Sequence, residues 1–395
     1  MHTSVRQFNT PLPGAVLALA LTTPLGACDD GAGAQQEDYS PSDSKGDIFG
    51  DDDRIERYQL ESDDDRYELA RSSAVLLKTS SLFKTPLGNW AVWADTLGKS
   101  EELCEDERFT GQPAGGFGSG TLVASDLLLT AGHNLTTEQD HEAALEKCLK
   151  TTVAFDFAYE TEGAGHPALP PKNVYQCVDV LAHEVLGGPD GPWAVDYAIL
   201  KLDRAVVGRT PVKVRDGAPM AVGTEVSQIG HPSGIPQKVV NGVVSAPLEC
   251  YGVLVNTDAF PANSGSGVFD VDRALVAGIM SASPNRTGHY IFDPERSCHV
   301  AARCDVDVPC AQPGVVAFDT PTMLSRLSAE VREKLQVVEV GEPSHCGAPG
   351  DSATPGSTPR DERTRCLDTC LESGTDNDIA CIQACNCEAW DMNCG

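Results

Sequence analysis

At 395 residues the chain is long enough for one large domain with additions, and at 41% apolar residues it can build a sizeable core. Its formal net charge of −29 would repel phosphates, which excludes nucleic acid as a partner. The charge is uneven. Residues 29–66 hold fourteen Asp and Glu against four Lys and Arg, in a stretch poor in large apolar side chains.

In chain order, Arg6 precedes an apolar stretch from Leu12 to Leu25, too short and too broken by Pro and Thr to cross a bilayer as a stable helix. Residues 1–28 therefore read as an export signal. The stretch ends Leu25-Gly26-Ala27-Cys28, which resembles a bacterial lipobox. That resemblance implies lipidation of Cys28, with membrane attachment through the lipid alone; an ordinary signal peptide with a chance Cys is the alternative. Residues 29–66 then read as an acidic tether with room for a propeptide.

From 67 to 340 the chain is a succession of strand-length apolar runs separated by Gly, Pro and Asp turns: AVLLKT, AVWADTL, GTLVASDLLLTA, TTVAFDF, AVDYAILKL, EVSQIG, KVVNGVVSA, GVLVNT, SGVFDV, ALVAGIMSA and GVVAF. Many short strands at this spacing predict an all-β sandwich or barrel. One long helical pattern stands out, TPTMLSRLSAEVREKL over 320–335, with Thr320 placed to cap it and Pro321 at its first helical position.

Residues 341–361 are rich in Pro, Gly and Ser and read as a linker. The remaining 362–395 form a Cys-rich module. Cys366 and Cys370 are four apart, as are Cys381 and Cys385, so each pair shares a helix face. Two antiparallel helices would form the rungs Cys366–Cys385 and Cys370–Cys381, with Cys387 and Cys394 closing a small loop. Four thiolates on zinc are the competing reading. The fifteen cysteines, less Cys28, leave an even fourteen, and such a count fits an oxidising compartment, where disulfides are favoured over metal. The module is free to bind an unknown partner; its sequence does not name one.

Three short segments carry potential chemistry. GSGTLVASDLLLTAGHNL places His133 at a strand end, WAVDYAILKL places Asp196 before an apolar run, and TDAFPANSGSGVF carries Ser264. Singly, each has an ordinary structural explanation. A serine hydroxyl is too weakly acidic to ionise near neutrality, so a nucleophilic serine needs a histidine as base, and the histidine needs a carboxylate to fix its tautomer.

Thr130-Ala131-Gly132-His133, Asp196-Tyr197-Ala198-Ile199 and Ala262-Asn263-Ser264-Gly265-Ser266 resemble the three active-site segments of trypsin-like serine peptidases, in the order His, Asp, Ser that this family uses. IFGDDDRIE at 48–56, IGHPSG at 229–234 and Asp258-Ala259-Phe260 are similar to features of the secreted bacterial glutamyl endopeptidases within that family. The resemblance covers roughly 48–340 and does not include the tail. It implies a chymotrypsin-like fold: two antiparallel six-stranded β-barrels with a C-terminal helix. It implies a catalytic triad of His133, Asp196 and Ser264, an oxyanion hole from the N–H groups of Ala262 and Ser264, and specificity residues at Asp258, Ala259 and Met280. The implied activity is that of an exported serine endopeptidase on protein or peptide substrates, secreted or held at the cell envelope, with no metal and no cofactor.

Ala262 departs from the family's glycine, and Asn263 from the aspartate of trypsin. A Cβ at position 262 is strained if the backbone there needs positive φ. That departure raises the alternative of an inactive homologue acting as an extracellular binding protein. Ser266 is the rival nucleophile, in a poorer context. Among the other histidines, His183 and His231 read as structural, and His289, His299 and His345 lack metal-ligand spacing. The segments with Cys298, Cys304 and Cys310, and the long insertion 136–175 with Cys148 and Cys177, read as disulfide-bound additions that shape the cleft.

Overall fold

The computed structural model describes residues 48–61, 63–187, 193–248, 252–282, 288–304 and 314–341. Cys28, the tether up to 47 and the tail cysteines Cys366, Cys370, Cys381, Cys385, Cys387 and Cys394 lie outside the described residues. Among the described residues no helix is long and apolar enough to cross a membrane.

Twelve strands close into two rings. The first ring uses β1 (Ser73–Lys78), β2 (Gly116–Ala124), β3 (Leu127–Thr130), β4 (Thr151–Phe155), β5 (Val174–Gly187) and β6 (Trp193–Leu202) in the order β6-β3-β2-β1-β4-β5, and β5 returns to β6. The second uses β7 (Glu225–Gly230), β8 (Lys238–Leu248), β9 (Gly252–Val255), β10 (Gly267–Asp270), β11 (Leu275–Ala282) and β12 (Val315–Asp319) in the order β10-β7-β8-β9-β12-β11, and β11 pairs back to β10. Every neighbour within each ring is antiparallel. The predicted pair of six-stranded barrels, and with it the chymotrypsin-like fold, is what the chain forms.

Period-two alternation explains why both barrels bury two faces. Along β6, Ala198, Leu200 and Leu202 fill the first barrel, while Val195, Tyr197 and Ile199 face the second. The second barrel answers in kind: Val268, Ala277 and Ala317 fill its interior, and Phe269, Val276 and Phe318 meet the first. Tyr197 stacks on Phe318 across this seam at 5.9 Å. The seam is thus a third apolar core, and His133, Asp196 and Ser264 lie at its edge.

Three expectations are corrected. The 320–335 helix is split into α3 (Thr320–Arg326) and α4 (Ala329–Arg332), numbered after α1 (Asp65–Arg71) and α2 (His141–Leu149). Ser328 restarts the helix by accepting the Val331 N–H, and Leu327 before it is extended. The first cap is Asp319, which accepts the Thr322 N–H at 2.9 Å, while Thr320 is already helical. AVWADTL gives only the short strand Trp90–Val92, paired with Leu82–Lys84 outside the barrels, followed by a helical turn at Leu97–Ser100.

The third correction concerns the acidic stretch. Residues 48–60 pack onto the folded unit rather than trailing from it. Ile48 is fully buried and pairs in parallel with Arg303, and Ile55–Glu56 joins the edge of β8. Its charges are matched: Arg54 pairs with Asp52, and Arg57 with Asp156 and Glu160. The folded unit therefore begins before residue 67. Disulfides Cys104–Cys298 and Cys148–Cys177 staple the additions, and Cys304 is disulfide-bonded as well.

Candidate active site

β3 delivers His133. The strand ends at Thr130, and a tight turn over Gly132–Asn134 swings the imidazole to the seam. A side chain at 132 could not fit: a Cβ there would lie 2.6 Å from Val185 and 2.9 Å from the carbonyls of Glu184 and Tyr197. Asp196, on β6, is completely buried. One of its oxygens accepts the His133 backbone N–H at 2.9 Å, and the other lies 2.7 Å from His133 Nδ1. The second oxygen also accepts from Ser281 Oγ at 2.5 Å.

Ser264 sits on the turn before β10. His133 Nε2 lies 2.8 Å from Ser264 Oγ. The three residues are thus joined by hydrogen bonds through the two ring nitrogens, although 131 positions separate the histidine from the serine. Burial works against charging His133, but the Asp196 carboxylate outweighs it by charge and hydrogen bond, and the imidazole pKa is raised. An imidazole so placed accepts a proton at Nε2 while Asp196 holds the Nδ1–H tautomer.

The serine turn is fixed by its neighbours. Gly265, at φ +86°, lets the turn approach β2 and β3, where a Cβ would come within 2.3 Å of the Ser119 carbonyl. The Ser264 carbonyl accepts from the Ser119 N–H at 2.9 Å and from Asn134 Nδ2 at 2.8 Å. Asn134 thus ties the histidine turn to the serine turn directly. Gly118 faces Asn134, whose atoms would crowd a Cβ at 2.7 Å.

Ala262 adopts φ +64°, the left-handed region. The strain that its methyl implies is therefore present. Its carbonyl accepts from Ser119 Oγ at 2.8 Å. Among the described residues, neither the Ala262 nor the Ser264 N–H has a hydrogen-bond partner. Two unpartnered donors two residues apart, beside a serine hydroxyl, suit a developing oxyanion.

The expected specificity residues behave differently. Ala259 and Met280 are packed inside the second barrel among Val226, Val255 and Val268. Asp258 is buried and accepts the Phe49 N–H at 2.9 Å and the Asp53 N–H at 3.3 Å. Burial raises its pKa to about 7. The N-terminal segment, rather than an open pocket, engages this carboxyl.

Of the remaining candidates, Ser266 is fully buried and accepts from Gln228, with no histidine on it. His183 contacts the Gly132 carbonyl at 3.2 Å, and burial lowers its pKa. His231 is buried with Nδ1 on the Ile235 carbonyl, and burial drives its pKa down to about 3. Both act as neutral structural groups. Among the described residues no group of three His, Cys, Asp or Glu side chains is placed to hold a metal ion. Ser281 and Ser119 belong to no motif in the sequence. The signal available for Ser281 was one hydroxyl near the end of the otherwise apolar run LVAGIMSA.

Residues 118–279 match the trypsin-like peptidase domain family model. No curated protein sequence matches the chain. Solved structures similar to it include a protein of M. tuberculosis H37Rv in an inactive serine-to-alanine form, at 12% identity over 66% of this chain and 87% of that one, with a TM-score of 0.34. Another is a Glu endopeptidase in complex with MPD, at 14% identity over 66% and 95% of the two chains, with a TM-score of 0.35. A serine endoprotease from Yersinia pestis is similar at 14% identity over 57% and 58%, with a TM-score of 0.32.

Proposed function

We propose, from the match of residues 118–279 to the trypsin-like peptidase domain family model, that the chain is an exported serine endopeptidase working through His133, Asp196 and Ser264. The observation that carries the reading is the pair of contacts on one imidazole, 2.7 Å to Asp196 and 2.8 Å to Ser264.

In this reading Ser264 Oγ attacks the scissile carbonyl carbon while His133 Nε2 takes the hydroxyl proton. Asp196 stabilises the imidazolium, helped by the Ser281 hydroxyl that orients its carboxylate. The N–H groups of Ala262 and Ser264 receive the carbonyl oxygen as it becomes an oxyanion. The tetrahedral intermediate collapses by breaking the C–N bond, with His133 returning the proton to the leaving amine. Water, deprotonated by His133, then hydrolyses the acyl-enzyme and regenerates Ser264. Losing one oxyanion donor typically lowers kcat by about a hundred- to a thousand-fold.

Ala262 was the motive for an inactive binding homologue. Its left-handed backbone and unpartnered N–H favour the enzyme instead. A preference for Lys or Arg is not part of the proposal, because Asp258 is occupied by backbone N–H groups of the chain itself. Export, with Cys28 as a lipid anchor at the cell envelope, remains part of the reading, as do a separate linker at 341–361 and a Cys-rich module at 362–395 that binds a partner or clips the chain.

A fluorophosphonate probe tests the enzyme directly. We expect labelling of the folded protein, none of the Ser264→Ala variant, and peptide cleavage only by the former. Labelling that survives Ser264→Ala, or none in the native chain, would overturn the assignment.

A further inference from the structure

Ala262 can donate to an oxyanion only if its peptide plane faces the right way. The peptide unit is planar and trans, so the Ala262 N–H and the Pro261 carbonyl point in opposite directions. Whatever holds that carbonyl aims the N–H. The Pro261 carbonyl accepts the Ser233 N–H at 2.6 Å. Ser233 is itself strained, at φ +50° inside the GHPSG turn. Its Oγ lies 2.7 Å from the hydroxyl of Tyr290. Tyr290 opens the hairpin Tyr290–Asp293/Cys298–Ala301, and Cys298 is disulfide-bonded to Cys104. The Tyr290 ring also stacks on Phe260, at 5.4 Å, and the Arg54 guanidinium lies 4.3 Å from the same Phe260 ring. The residues just before Ala262 are thus gripped through Phe260 as well as through the Pro261 carbonyl.

We propose that Ser233 and Tyr290 are positioning residues that orient the Ala262 N–H for catalysis, so that the stapled hairpin governs the oxyanion hole. The inference rests on the proposed role of Ala262 as donor. The alternate orientation of the Pro261–Ala262 peptide would bring the carbonyl to where the N–H now points, and would replace a donor with an acceptor. The Ser233 N–H excludes that orientation, and the Tyr290 hydroxyl holds Ser233 in the strained conformation that presents the N–H. Both residues line a groove of about 560 Å³ that also touches Pro261 and Ala262.

The test compares the full chain with Tyr290→Phe, Ser233→Ala and the double variant. Tyr290→Phe keeps the ring on Phe260 and removes only the hydroxyl. The readouts are kcat and KM on a peptide substrate, and the inhibition constant of a peptide aldehyde, whose hemiacetal places an oxyanion in the hole. We expect kcat to fall roughly ten-fold, less than on deletion of a donor, and aldehyde binding to weaken by the same factor. KM should stay within about two-fold, and the double variant should be no worse than the poorer single one. Unchanged kcat and aldehyde binding in both single variants overturn the inference while leaving the peptidase assignment intact. A rise in KM alone does so too, since it would mark a substrate contact. If Tyr290→Phe folds poorly, Ser233→Ala decides by the same readouts. A native chain inert to both substrate and fluorophosphonate overturns the assignment, and the inference with it.

Discussion

His133 carries opposing influences, and their balance sets a measurable pH. Burial favours the neutral ring and Asp196 the charged one, and Asp196 prevails, so the pKa lies above its ordinary 6.5. In the proposed mechanism the working form is neutral at Nε2. Activity should therefore be present above the shifted pKa and be lost as pH falls through it. The acid limb of kcat/KM should have its midpoint above 6.5, and Asp196→Asn should abolish the shift along with most of the rate. A midpoint at or below 6.5 would show that Asp196 does not dominate. Ala262 gives a second prediction. The backbone is already left-handed there, which costs about 1–2 kcal/mol with a Cβ present, and glycine removes this cost at some expense in unfolded-state entropy. Ala262→Gly should raise Tm by roughly 2–4 °C for a net gain near 1 kcal/mol. Because neighbouring groups hold the adjacent carbonyls, kcat should change by less than about two-fold. A large rise in turnover would mean that the methyl now misplaces the N–H. The residues proposed as a triad were legible because each sits in a short segment of recognisable type. Ser281 and Ser119 were not, because their roles depend on which strand ends the fold brings together.

Element by element, the sequence was most readable where a short run of strand-forming residues was bounded by turn residues. EVSQIG, SGVFDV and GVVAF each became one strand of the second barrel. It was least readable at β5, whose fourteen residues mix Gln176, Asp179, His183 and Glu184 with apolar ones, and at the long helix that Ser328 divides. The N-terminal segment misled through its composition. Counting carboxylates suggests a solvated tether, yet Asp52 is held by buried Arg54, and the segment's own buried Arg57 joins Arg209 in taking the pKa of Asp156, in the first barrel, down to about 2 against its burial. Asp258 behaves oppositely. Its folded pKa, about 7, lies above the ordinary 3.8, so the folded state binds the extra proton between those values. Stability from this group is full below 3.8 and is lost as pH rises towards 7. Asp258→Asn should flatten that decline, and the difference in urea midpoint between variant and native chain should move in the variant's favour from about pH 4 to about pH 7. A difference that does not change with pH would refute the assignment.

At the scale of the molecule, the proposed machinery is divided between two closed barrels. His133 and Asp196 come from β3 and β6, Ser264 from the turn before β10, so the site exists only when the seam of Tyr197, Phe269, Ile279 and Phe318 is packed. The two-barrel plan could be read from strand count and turn spacing together with the order of the three segments. The closure of the second ring through β10 and β11 could not, because register is a property of pairs of strands rather than of either one. The strap at 48–60 adds a feature of time. Its partner Asp258 is 209 positions downstream of Phe49. At a synthesis rate of 5–20 residues per second that partner is made roughly 10–40 s after the strap. Ile48 and Phe49 can therefore be placed only after much of the second barrel has been made, whereas Arg57 meets Asp156 of the first barrel far earlier.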